Sequence, residues 1–157
     1  MYKVRDALPE EVFTLAELSE RVLKESPTYT HMEFSKEKTA NYIYSAIVKH
    51  DGWFLRVIVD DSNQVVGGLI CYCEPMVFSN DKVAYDITIM VDKDHRGRCL
   101  PQLVQVIEEY KEWAISQGAK LIKMGVSSGI SIDSAAKFFE RLGFDRIGSM
   151  HGFKVGE

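Results

Sequence analysis

No apolar run in this sequence approaches the roughly 20 residues that a bilayer-spanning helix needs, and residues 1–6 lack the apolar core and small-residue cleavage site of a signal peptide. A cytoplasmic protein with no membrane contact is the expectation. Cysteine is sparse and odd in number, since Cys71, Cys73 and Cys99 are all there is, and that argues against a disulfide framework. Cys71 and Cys73 share one face of a strand, yet no second pair follows at a zinc-like spacing, so no metal is expected. Basic excess is missing too. A net charge of −4 argues against nucleic acid as a partner, because a phosphate-backbone binder needs a concentrated basic face. The Gly-Lys-Ser or Gly-Lys-Thr of a P-loop and the glycine triplet of a dinucleotide fold are both absent. With only four prolines, 46% hydrophobic and 27% charged residues, the chain has the balance of a folded globular protein. Its 157 residues suit a single domain spanning 1–157.

The patterning is that of an α/β protein. Residues 2–6 read as a first strand, and Pro9 then opens a helix whose stripe includes Val12, Leu15, Ala16, Val22 and Leu23, ending near Glu25. Residues 26–34 carry proline and aromatics without periodicity and read as a loop. Ser35 caps a second helix with Ala40, Ile43, Tyr44 and Ile47 on its apolar face, ending near 50–52. Residues 53–59 and 65–73 flank a turn-forming cluster and form an antiparallel hairpin. Residues 83–91 make a central strand, with Ile87, Ile89 and Val91 on one face and Asp86, Thr88 and Met90 on the other. A helix from Pro101 to Gly118, a strand over 120–126 and a helix capped by Ser131 or Asp133 follow. Gly143 ends that last helix, and residues 144–155 read as one or two strands broken near Gly148 or Gly152.

Between the strand at 83–91 and the helix at Pro101 lies a charged turn, with Arg96, Gly97 and Arg98 at its centre. A helix start carries about four unpartnered amides and roughly half a positive charge, two permanent guanidinium cations sit beside it, and Gly97 leaves the backbone open to close approach. This is an arrangement suited to an anion such as a phosphate; the alternative is an ordinary turn with solvated arginines.

His95-Arg96-Gly97-Arg98, together with residues 136–144 ending in Leu142-Gly143-Phe144, closely resembles the GCN5-related N-acetyltransferase (GNAT) superfamily over nearly the whole chain. The resemblance implies a mixed α/β fold, a mostly antiparallel central sheet flanked by helices, and acetyl-CoA as acyl donor without a metal. It implies that amides around Arg96, Gly97, Arg98, Cys99 and Leu100 hold the pyrophosphate, with Gln102 standing in for the amide that Pro101 lacks. Ile89, Met90 and Val91 would hydrogen-bond the pantetheine arm where the sheet splays, Phe138 would pack beside it, and Ser131 would replace an asparagine contact where the sequence has Ile132. The acceptor would be a primary amine on a small molecule or a protein, attacking the thioester directly in a ternary complex. A homodimer is expected from exposed C-terminal strands.

An arriving ammonium has a pKa of about 10.4 and must lose a proton before it attacks. Asp86, a carboxylate on the central strand, is the candidate base; its alternative is a structural hydrogen bond to a neighbouring turn. Tyr29, His31 and Glu33 are candidate acceptor contacts on the first interhelical loop, or anchors of that loop. Phe139 stands where the family commonly has a tyrosine as general acid, so the thiolate's proton must come from water or from Tyr29, Tyr72 or Tyr85. The residues that depart from the family pattern also favour an alternative reading, a catalytically weak or inactive CoA-binding or protein-interaction module of the same fold.

Overall fold

The β-branched and aromatic runs at the middle of the chain pair into a five-stranded sheet in the computed structural model, which describes residues 1–49 and 51–156. In chain order the elements are β1 (Lys3–Asp6), a 3-10 turn (Pro9–Glu11), α1 (Val12–Lys24), α2 (Lys36–Lys49), β2 (Trp53–Val59) and β3 (Val65–Pro75). β4 (Lys82–Val91), α3 (Leu100–Ser116), β5 (Ala119–Lys123) and α4 (Ile132–Arg141) complete it. The helix end read at 50–52 falls partly on His50, outside the described residues.

Spatial order follows chain order, β1 to β5. The first three pairings are antiparallel, and β4 with β5 is parallel because α3 forms the crossover between them. The sheet is therefore mixed and mostly antiparallel. Its middle strand is β3, and β4 lies one place further out, so the central position read for residues 83–91 is corrected to an inner one. Residues 65–71 of β3 are buried throughout, which explains their unbroken apolar run. Gly67 serves the same packing, for a Cβ there would stand 3.0 Å from the Met90 carbonyl of β4.

Helices cover both faces. Leu15 and Leu18 of α1 and Ile43 of α2 pack on Val57, Ile70 and Met90, while Val106, Ile107 and Tyr110 of α3 and Phe139 of α4 pack on Ile58, Leu69 and Cys71. All three cysteines are buried and free, which assigns Cys71 and Cys73 to the α3-side core.

Two expectations are overturned. The ladder skips Ile87, since Ile70 pairs with Thr88 but Cys71 pairs with Asp86. This bulge moves Asp86 off the face of Thr88 and Met90 and onto that of Ile89 and Val91, because one extra residue inverts a period-two pattern. The tail contains no strand among residues 145–156; Ile147, Met150, Phe153 and Val155 are exposed, and without a ladder partner an extended segment does not become a strand.

Leu69 is fully buried at the sheet centre. Leu69→Ala is expected to lower stability by about 2–5 kcal/mol, read as a lower urea midpoint at unchanged slope.

Candidate active site

β4 and β5 pair only from Lys82 opposite Ala119 to Tyr85 opposite Lys123, whereas β3 accompanies β4 to Val91. Past Tyr85, therefore, one edge of β4 has no strand beside it. A bulge bends and twists the strand that carries it, and the bulge at Ile87 falls where the two strands part. This also shortens β5, read at 120–126, to Ala119–Lys123. The gap opens into a cavity of about 460 Å³ walled by Asp86, Ile87, Thr88, Ile89 and Met90, by residues 125–128, and by parts of α1 and α2.

Asp86 sits at the point of parting. Its Oδ1 accepts the Gly125 amide at 3.1 Å, so the carboxylate replaces the next ladder bond. Burial pushes its carboxyl up from 3.8 to about 6, against the lowering effects of its own backbone, the Gly125 amide and Lys123. Burial foremost, and Asp86 next, raise the Cys71 thiol; the Tyr110 hydroxyl is raised by burial, Cys71 and Asp86. Tyr110 donates to the Lys123 carbonyl at 3.0 Å.

Residues 25–29 strap the mouth of the gap. Ser26 is fully buried; its Oγ donates to the Ser128 carbonyl at 2.5 Å and accepts the Thr28 and Tyr29 amides. Tyr29 donates its hydroxyl to Ser127 Oγ at 2.7 Å. Gly129 has φ +76°, and a Cβ there would come within 2.9 Å of Pro27 and Thr28, so glycine is required by both conformation and contact. At the other end of the strap, Glu25 receives both terminal nitrogens of Arg96, at 2.6 and 3.0 Å, while Arg96 Nε donates to the Val91 carbonyl.

The charged turn is more occupied than its sequence suggests. Arg98 and Cys99 both give their amides to the His95 carbonyl, and the Cys99 side chain is buried. The Gln102 side chain donates to the Tyr2 carbonyl at 3.3 Å, and Arg98 lines a recess beside Tyr2, Asp60 and Asp61. His95 is half-buried rather than solvated, with Nδ1 3.0 Å from the Tyr2 hydroxyl. Among the described residues, the amides of Arg96, Gly97, Leu100 and Gln102 have no backbone acceptor. A Cβ on Gly97, where φ is +77°, would meet nothing within 4 Å.

The acetyltransferase (GNAT) family model matches residues 15–144. The chain belongs to the GNAT acetyltransferase family. No curated protein matches it by sequence, but many solved structures share its fold. It is similar to glucosamine-6-phosphate N-acetyltransferase from Arabidopsis thaliana, with TM-score 0.71 and 15% identity over 99% of each chain. It is also similar to an aminoglycoside acetyltransferase from an uncultured soil metagenomic sample, with TM-score 0.67 and 21% identity over 99% of each. The ribosomal-protein-alanine N-acetyltransferase from Brucella melitensis biovar Abortus 2308 gives TM-score 0.66 and 14% identity over 99% of this chain and 100% of that one. Three such different acceptors on one fold leave the acceptor to the local site.

GNAT enzymes take acetyl-CoA as donor, and this chain offers matching groups: four free amides beside open space at Gly97, and a bare β4 edge leading to Asp86. Of the candidate donor contacts, Ile89 and Met90 line the cavity; Val91, at the end of β4, gives its carbonyl to Arg96. Phe138 is half-buried against the α3-side core. Ser131 precedes α4 with φ +49° and an exposed side chain outside the cavity wall. Tyr29 reaches the cavity, Glu33 borders an outer recess that shares Tyr29, and His31 lines neither. Phe139 is buried behind Gly125 and Val126, in a recess closed by the tail. Lys38, Tyr42 and Ser26 were missed by sequence reading. A serine followed by proline at a helix end was the available signal for Ser26; nothing local marked the other two.

The raised Asp86 carboxyl makes a stability prediction. The native chain holds more protons than the unfolded one between pH about 4 and about 6, so stability falls as pH rises through that window. Asp86→Asn removes the penalty, so the variant is expected to gain about 3 kcal/mol relative to the native chain between pH 4 and pH 8, measured by urea unfolding at each pH. A gain independent of pH would refute it.

Proposed function

We propose that the chain transfers an acetyl group from acetyl-CoA to a primary amine by direct attack in a ternary complex. The observation that carries this reading is Asp86, a half-buried carboxylate titrating near 6 on the cavity wall where β4 and β5 part. A base of that pKa is largely ionised at neutral pH and still able to accept a proton. The free amides at Arg96, Gly97, Leu100 and Gln102 hold the donor's diphosphate, assisted by the helix start of α3. The bare edge of β4 at Ile89, Met90 and Val91 aligns the pantetheine arm. Asp86, directly or through one water, takes the ammonium proton. The amine nitrogen forms a bond to the thioester carbonyl carbon, the carbon–sulfur bond breaks, and the thiolate leaves.

The thiolate's proton comes from Tyr29 in this reading, and the second proton of the attacking nitrogen, lost as the amide forms, restores the Tyr29 hydroxyl. Of the three tyrosines considered, Tyr29 lines the cavity; Tyr85 is bonded to Glu74 at 2.8 Å and held at about 12, and Tyr72 packs at a tilt against Trp53 and edge-to-face with Tyr85. Phe139 supports the second reading, a weak or inactive binding module, since it has no proton to give. Release of free CoA on adding amines decides between the two.

For the enzyme, kcat/KM is expected to rise with pH through about 6 as Asp86 ionises, and Asp86→Asn to lose about a hundredfold in kcat with acetyl-CoA affinity retained. Unchanged turnover would remove Asp86 from the mechanism. With Tyr29 as the acid, Tyr29→Phe is expected to lower kcat, whereas Phe139→Tyr, in a recess apart from the cavity, is expected to match the native rate at every pH; a faster Phe139→Tyr would mean that the missing acid is limiting.

A further inference from the structure

We infer that the acceptor is a small amino-acid-like monoamine, an apolar or aromatic body carrying one ammonium and one carboxylate, rather than a polycation or a sugar phosphate. This rests on the acetyltransferase reading and concerns the same cavity.

Of the described residues that line the cavity, Asp86 and Lys38 are the only charged ones. Asp86 is on β4, where that strand parts from β5. Lys38 is on α2, exposed, at the wall shared with an outer recess that also holds Glu20 and Glu33. Its neighbour Lys36 is engaged with Glu17 at 2.5 Å and Glu20 with Lys24 at 3.1 Å, whereas Lys38 makes no ion pair among the described residues. Between the two charges Val22 and Leu23 from α1, Tyr42 and Ile43 from α2, and Phe34 and Met90 make most of the wall apolar; of the hydroxyls there, Ser19 and Thr39 already donate to the Leu15 and Ser35 carbonyls, and Ser127 is bonded to Tyr29.

Each acceptor class meets this wall differently. A polyamine or an aminoglycoside brings several ammonium groups, of which Asp86 pairs with one inside the cavity; one that extends to Glu33 in the outer recess must pass the Lys38 cation, and the others lie against apolar surface, where unpaired charge is costly. A sugar phosphate would pair its phosphate with Lys38 as a carboxylate does, but it also sets a ring of hydroxyls against a mostly apolar wall whose own hydroxyls are largely engaged, and hydroxyls desolvated without partners lose their hydrogen bonds. An apolar amino acid leaves nothing unmatched. Its ammonium meets Asp86, its carboxylate meets Lys38, and its side chain replaces water against the apolar wall.

Thiol release from acetyl-CoA is measured with L-phenylalanine, 2-phenylethylamine, spermidine, a tetra-amino aminoglycoside and glucosamine 6-phosphate. The expected order places phenylalanine highest in kcat/KM. Lys38→Met is expected to cut the preference for phenylalanine over 2-phenylethylamine about fivefold, the scale of one exposed ion pair, and Lys38→Arg to restore it. Preference for spermidine, the aminoglycoside or the sugar phosphate overturns this inference and leaves the acetyltransferase reading standing. So does a preference that Lys38→Met leaves unmoved while its circular dichroism matches the native chain. Thiol release with no amine at all overturns both.

Discussion

The parting of β4 from β5 is the constraint on which the rest of this molecule depends. A parallel pair five residues long ends because β4 bulges at Ile87, and the carboxylate of Asp86 takes the Gly125 amide that a continuing β4 would have bonded. Three consequences follow from one displaced residue. A backbone edge is left bare, a cavity opens beneath α1 and α2, and a carboxylate is drawn out of water far enough to titrate near 6. The same burial that costs stability at neutral pH gives the group its capacity as a base, which is the usual exchange at a functional site.

Around that gap the loops are tied together rather than left free. Residues 25–29 are bonded to 127–128 at one end and to Arg96 at the other. The first interhelical loop, the charged turn and the segment after β5 therefore form one connected rim. Arg96 is the joint of that rim. In isolation it is a phosphate-seeking cation, but in the folded chain it is already neutralised by Glu25, so the anion-binding capacity of the turn rests on its free amides and the α3 helix start more than on guanidinium charge. Through Glu25 the same guanidinium ties the turn to the strap beside the cavity.

Much of the architecture was legible in residue order. The hairpin at β2 and β3 and the helices from Val12, Lys36 and Leu100 fall where periodicity and turn residues put them, because amphipathic patterning is local information. The family resemblance pointed to β4 and the turn before α3 as the place to look for a site. What escaped were features set by partners far along the chain. The tail has the composition of a strand and no ladder to join. His95 has no local signal of a partner and is held by Tyr2, more than ninety positions away. Cys99 reads as a small residue beside phosphate and is part of the core.

By itself the sequence determined the α/β class, the lack of a helix long and apolar enough to cross a membrane, the placement of an anion-suited turn before α3, and Asp86 as the carboxylate worth testing. Only the tertiary structure decided which way Asp86 faces, since a single bulged residue inverts the alternation that the sequence implies. It also decided that Lys38 and Asp86 share one cavity. Those residues stand on different elements, nearly fifty positions apart, and neither periodicity nor spacing carries information about a meeting that packing alone brings about.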